Sequence, residues 1–134
     1  MLKNLKEKEI SKYERVVKKR SLFEDVKKIA EICFTYAEEC EENNDLKRAI
    51  KYYKKSADYF TKLSVSTGAF EFHNNVAVVY YRLGCVICTK DGYLTKEAKS
   101  HFINAYYMWD ILSKQCPDNS EYARRRDIVK QYIF

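Results

Sequence analysis

Leu46-Lys47-Arg48-Ala49-Ile50-Lys51-Tyr52-Tyr53-Lys54-Lys55-Ser56-Ala57-Asp58-Tyr59-Phe60-Thr61-Lys62-Leu63 is the stretch on which the fold turns. Ala49, Ile50, Tyr53, Ser56, Ala57, Phe60 and Leu63 fall at i, i+1, i+4, i+7, i+8, i+11 and i+14, the spacing of one face of an α-helix and not of a strand. That face mixes small residues with aromatics, so a neighbouring helix can come close beside the small ones while the rings fill the space around them.

Working outward, the chain has few places to turn. It holds three Gly and one Pro in 134 residues, which leaves no supply of hairpin turns for a sheet. The clear breaks are Ser66-Thr67-Gly68, Asp91-Gly92 and Cys116-Pro117-Asp118, with a softer one at Asn43-Asn44-Asp45. Between them the pattern predicts about six helices in one all-α domain. The first, over 1–20, carries Leu2, Leu5, Tyr13, Val16 and Val17 on a stripe with Ile10 near its edge. Ser21-Leu22-Phe23-Glu24 reads as a capping box that starts a second helix at Leu22 and carries it to about Glu42. A fourth helix is predicted from about Ala69 to Lys90, a fifth from about Leu94 to Gln115, and a last from Glu121 to about Ile133 behind an Asp118-Asn119-Ser120 cap. In the last helix Tyr122, Ala123, Val129, Tyr132 and Ile133 are expected to face inward, with Arg124, Arg125 and Lys130 toward water. Gly84, inside the fourth helix, costs up to about 1 kcal/mol against Ala and marks an expected point of close packing.

The net charge of +6 is banded. Residues 1–28 hold ten basic and five acidic groups, residues 29–45 six acidic and none basic, and residues 46–62 six basic and one acidic. Solvated helix faces explain such bands, and a basic surface for an acidic partner or an RNA backbone is the sharper alternative. At 46% hydrophobic the chain is too apolar to be disordered. Five cysteines (Cys33, Cys40, Cys85, Cys88, Cys116) are an odd number spread through apolar helical stretches, which suits free thiols in a reducing cytoplasm. Met1 to Arg20 is charged throughout, so no signal peptide is expected, and the longest apolar run, Val76 to Tyr81, falls far short of the ~20 residues of a membrane span.

An internal repeat underlies the pattern. Cys33, Tyr36-Ala37, Cys40, Ala49, Tyr53 and Ser56 superpose in order on Tyr80, Leu83-Gly84, Ile87, Ala98, Phe102 and Ala105. This layout of large and small residues resembles the tetratricopeptide repeat; Asn44 to Tyr53 resembles its turn and second-helix start, and Tyr80-Tyr81-Arg82-Leu83-Gly84 its first helix. The resemblance covers roughly residues 26–116. It implies right-handed antiparallel helical hairpins, one over 22–65 and one over 69–116, with an N-terminal amphipathic helix over 1–20 and a capping helix over 119–134. The equivalent positions lie 47 residues apart for Ala37 and Gly84 and 49 for Ala49 and Ala98, against a usual period of about 34. Neither hairpin ends in the family's Pro. The chain therefore resembles the long-helix branch of the family. A generic helical bundle and the three-helix modules of trafficking proteins are the other architectures that fit.

Ligands of such hairpins lie in a concave groove along the first helices. The resemblance projects that groove onto Glu31, Phe34, Glu38, Glu41 and Glu42 from one hairpin and Val78, Tyr81, Arg82, Cys85, Cys88 and Thr89 from the next. One wall is acidic, which suits a basic or amphipathic peptide, although a solvated helix face has the same composition. The family's clamp for acidic C-terminal peptides needs Lys and Asn at set groove positions, two of which are Phe34 and Glu38 here, so that activity is not expected.

Cys85-Val86-Ile87-Cys88 is a lone C-x-x-C, and a metal site would need Cys33 and Cys40 to converge on it from another helix; packing as small hydrophobes is the simpler role. His73 and His101 belong to no Ser-His-Asp order and no HExxH, and no Gly-rich phosphate loop is present. No enzyme activity, metal or cofactor is expected. The expectation is a protein-interaction scaffold with a protein or peptide partner, with self-association open and no membrane role. The alternatives are a nucleic-acid-associated factor using Lys3 to Lys28 and Lys47 to Lys55, and the peptide-sensing part of a regulator. Residues 1–20 can equally be the second helix of a further hairpin, which would make the chain a piece of a longer array.

Overall fold

The computed structural model describes residues 2–134, with side chains from Leu5 onward, so Leu2 on the first stripe and Lys3 in the basic band lie outside the described side chains. The described residues form six α-helices and no strand: α1 Leu2–Arg20, α2 Phe23–Glu42, α3 Leu46–Thr67, α4 Phe70–Asp91, α5 Lys96–Gln115 and α6 Ser120–Lys130. The all-α fold expected from the scarcity of turn residues is what is found.

The ends of the helices follow local chemistry. Asp45 caps α3 by accepting from the Arg48 N–H, Thr95 caps α5 by accepting from the Ala98 N–H, and Asn119 accepts from the Glu121 N–H at the start of α6. Gly68 (φ 67°) and Gly92 (φ 81°) close α3 and α4 in the left-handed conformation that a side chain disfavours.

Four local expectations are corrected. The capping box at Ser21 does not form: Ser21 itself turns left-handed (φ 40°), its hydroxyl donates back to the Val17 carbonyl at 2.7 Å, and α2 begins after Leu22 with no side-chain cap. Ile10 is not at the edge of the α1 stripe but at its centre; Ile10 and Val17, two turns apart, are the buried pair, whereas Leu5 is 63% exposed. The fifth helix starts at Lys96 and not Leu94, because Thr95 provides the cap. The last helix ends at Lys130, and Arg125, only partly exposed to water, lays its guanidinium over the Trp109 ring, 5.9 Å from the centroid.

The core is continuous from Ile10 to Val129 and is built from the periodic faces of all six helices. Tyr53, Ser56, Ala57 and Ala49 of α3 are buried as the spacing demanded, and the Ser56 hydroxyl is satisfied by donating to the Ala30 carbonyl of α2 at 2.9 Å. Gly84 is a contact point: a Cβ there would stand 2.7 Å from the Phe102 ring, so the absent side chain is what lets α4 and α5 meet.

Each helix packs against the next, and polar contacts also join alternate helices. Arg48 reaches Glu7 at 2.7 Å and Lys55 reaches Glu14 at 3.0 Å, tying α3 to α1, and Lys54 reaches Glu97 at 3.2 Å, tying α3 to α5. On the other side Arg82 of α4 meets Glu38 and Glu41 of α2, and Arg125 of α6 donates to Asn74 of α4 at 3.5 Å. The odd-numbered helices thus contact one another along one side, and α2, α4 and α6 along the other.

Candidate functional site

The eleven residues singled out in the sequence lie on α2 and α4, but the fold separates them into different settings. Phe34, Glu38 and Glu41 of α2 stand against Arg82 of α4. Its guanidinium donates to Glu38 at 3.3 Å and to Glu41 at 3.4 Å, and lies 5.8 Å from the ring centroids of both Phe34 and Tyr53. Tyr53 donates its hydroxyl to Glu41 at 2.7 Å, and burial together with that carboxylate pushes the phenol well above its ordinary range. The acidic wall is therefore partly neutralised from within the molecule. A basic partner would have to compete with Arg82 for both carboxylates.

Glu31 does not join that cluster. It is exposed and lines a shallow depression with Lys6, Glu9 and Lys28 between α1 and α2, because its position on α2 turns it toward α1. Glu42 and Thr89 are exposed, the latter donating to the Cys85 carbonyl.

Val78 and Tyr81 enter a third setting. With Trp109 of α5 and Arg124, Arg125, Ile128 and Val129 of α6 they line a pocket of about 230 Å³ open to solvent. Its floor is aromatic: the Tyr81 and Trp109 rings lie 6.0 Å apart at 58°, and the Trp109 indole N–H donates to Asn74 at 2.9 Å. Its rim is cationic. Arg124 and Arg125 both turn to the one carboxylate of Glu121, which holds Glu121 down at about 2. Reading the sequence missed Trp109, Arg124, Arg125 and Asn74. The Arg124-Arg125 pair was visible, but its pairing with Asn74, 51 positions earlier, needed the chain to be folded.

Cys33, Cys85 and Cys88 sit in surroundings unsuited to reaction. Cys33 is fully buried and its thiol is pushed up to about 12 by burial; burial also raises Cys85, despite a hydrogen bond with the Tyr81 hydroxyl, and Cys88. A thiol so shifted has little thiolate at neutral pH, which is the form that attacks or ligates. Cys33, Cys85, Cys88 and Cys116 are free thiols, and among the described residues no group of three or more His, Cys, Asp or Glu comes together to hold a metal ion.

The two histidines are apart. His73 pairs through Nδ1 with the Ser64 hydroxyl. His101 stacks on Tyr80 at 5.7 Å and 17°, and both its ring nitrogens are buried without a hydrogen-bond partner, so burial lowers its proton affinity. Three of the six basic residues of α3 are engaged by carboxylates: Arg48 with Glu7 and Asp45, Lys54 with Glu97, Lys55 with Glu14. Among the described residues no helix is long and apolar enough to cross a membrane. No family model, curated protein or solved structure matches the chain.

Proposed function

We propose that the chain is a tetratricopeptide-like interaction module of the long-helix kind that holds a protein or peptide partner on the side formed by α2, α4 and α6, in the cytoplasm. The observation that carries this is the alternation of contacts. When every second helix meets along one side, that side becomes a continuous strip of first helices, and here it carries half-buried Phe34, Val78, Tyr81 and Cys85 beside charged groups. Partly buried apolar and aromatic groups with a polar rim are the composition of binding surfaces. The repeat in the sequence supports the same architecture, since Ala37 and Gly84, and Tyr53 and Phe102, are all buried at corresponding places.

The internal pairing of Glu38 and Glu41 with Arg82 shifts the expected partner away from a simple basic peptide. A partner that contacts apolar surface as well as charge fits better. The nucleic-acid alternative has less behind it, because Arg48, Lys54 and Lys55, half of the basic residues of α3, are engaged by acidic neighbours within the fold. Neither catalysis nor a cofactor is part of the proposal.

The test is capture of a partner by the tagged chain from its source lysate, with and without nuclease, at roughly 0.1 and 0.4 M salt, a range over which phosphate-driven binding falls by orders of magnitude. A defined protein retained in all four conditions and lost in a Phe34→Ala, Tyr81→Ala double variant that keeps its helical circular dichroism supports the scaffold. Recovery of nucleic acid alone, and only at low salt, overturns it.

A further inference from the structure

The geometry points to the pocket between α4, α5 and α6 as a binding site for a compact organic anion, a carboxylate carried on an aromatic or branched apolar body. The pocket lies on the side proposed above as the binding side, and the inference rests on that reading. Size, floor and rim each narrow the ligand. The volume of about 230 Å³ takes in a single ring or branched chain, and anything longer would extend into solvent. Tyr81, Trp109, Val78 and Ile128 offer apolar and aromatic surface, and Asn74, the polar group beneath Trp109, already accepts from the indole and from Arg125. The body of the ligand is therefore apolar.

The rim fixes the charge. Arg124 and Arg125 share one carboxylate, Glu121, and the neighbouring Asp110 and Asp127 are matched by Lys114 and Arg126, so the two guanidiniums leave one positive charge over. A cationic ligand is repelled there, and a carboxylate gains a charge-assisted hydrogen bond at the pocket mouth. The same group can belong to a free acid or to an acidic residue beside an apolar one in a partner chain.

Trp109 is the only tryptophan of the chain and lies behind the pocket, 2% exposed beneath the Arg125 guanidinium, so a ligand that draws on Arg125 or packs on Tyr81 alters its surroundings and its emission. The purified chain is titrated with 3-phenylpropionate and with the uncharged 3-phenylpropanamide. The acid is expected to give a saturable change and to bind about fivefold more tightly than the amide, the order of a solvent-exposed ion pair. Arg124→Gln, at a residue whose side chain is 61% exposed, leaves one arginine against one carboxylate and should abolish that difference. Val78→Phe fills the pocket and should abolish the saturable change for both, with the fold checked by circular dichroism. Tighter binding of N-acetyl-Glu-Phe-amide than of the free acid assigns the anion to a partner chain, and weaker binding assigns it to a free acid. The absence of a saturable change, acid and amide binding alike in the unsubstituted chain, or an unchanged response in Val78→Phe overturns the site. The titration needs no partner, so its failure leaves partner capture standing, and the reverse holds.

Discussion

At Gly84 two effects of opposite sign meet. Alanine there would gain about 1 kcal/mol of helix propensity, whereas overpacking a filled core costs about 1–3 kcal/mol. The clash wins, because the Phe102 ring that the new methyl would strike is buried and packed by Tyr132, stacked on it at 4.9 Å. Gly84→Ala is expected to lower stability by about 1–2 kcal/mol in urea unfolding, and Phe102→Leu in the same chain to recover part of it. His101 gives a pH dependence. Its ordinary value is 6.5 and burial lowers it, with Lys54 adding to and Glu97 opposing the effect. Below pH 6.5 the unfolded chain takes up a proton that the folded chain resists, so stability falls as pH drops from 6.5 toward the folded value. Unfolding at pH 7.5 and 5.5 should show a larger loss in the unsubstituted chain than in His101→Phe. The close packing at Gly84 was legible because a mid-helix glycine is costly locally. The stacking of His101 on Tyr80 was not, since nothing within one helix reports it.

At the level of the helices, ends were read with unequal success for a physical reason. Asn119 caps α6 within the Asp118-Asn119-Ser120 cap that was expected, while Asp45 and Thr95 cap α3 and α5 without having been read as caps, Thr95 having been placed inside its helix. Ser21 carried the same signature and behaves differently, because α1 runs on to Arg20 and draws the Ser21 hydroxyl to its own last turn. Asp45→Ala is expected to cost about 1 kcal/mol, while Ser21→Gly, which removes no cap and relieves a positive φ, should stabilise by about 0.5 kcal/mol in the same thermal or urea assay. A loss on Ser21→Gly comparable with that of Asp45→Ala would restore the capping box.

For the whole molecule, α6 and the residues after it cover the last pair of helices. Tyr132 stacks on Phe102, Val129 is buried, and Arg125 covers Trp109. A chain ending at Cys116 should therefore show Trp109 emission shifted to the red and should associate with itself in light scattering, because the uncovered aromatic surface has no other partner. An unshifted emission would mean that α6 is not what covers the core. By itself the sequence determined that the chain is all-α, where its six helices run to within a few residues, and which face of most of them is buried. Those properties arise from hydrogen bonds and side-chain spacing within one or two turns. The tertiary structure alone decided that Arg82 neutralises Glu38 and Glu41, that Glu31 turns away from them, and that Val78 and Tyr81 share a pocket with Trp109 and Arg125. Each of those meetings joins residues some 30 to 50 positions apart on different helices, and the angle at which helices pack, which no local pattern states, is what brings them together.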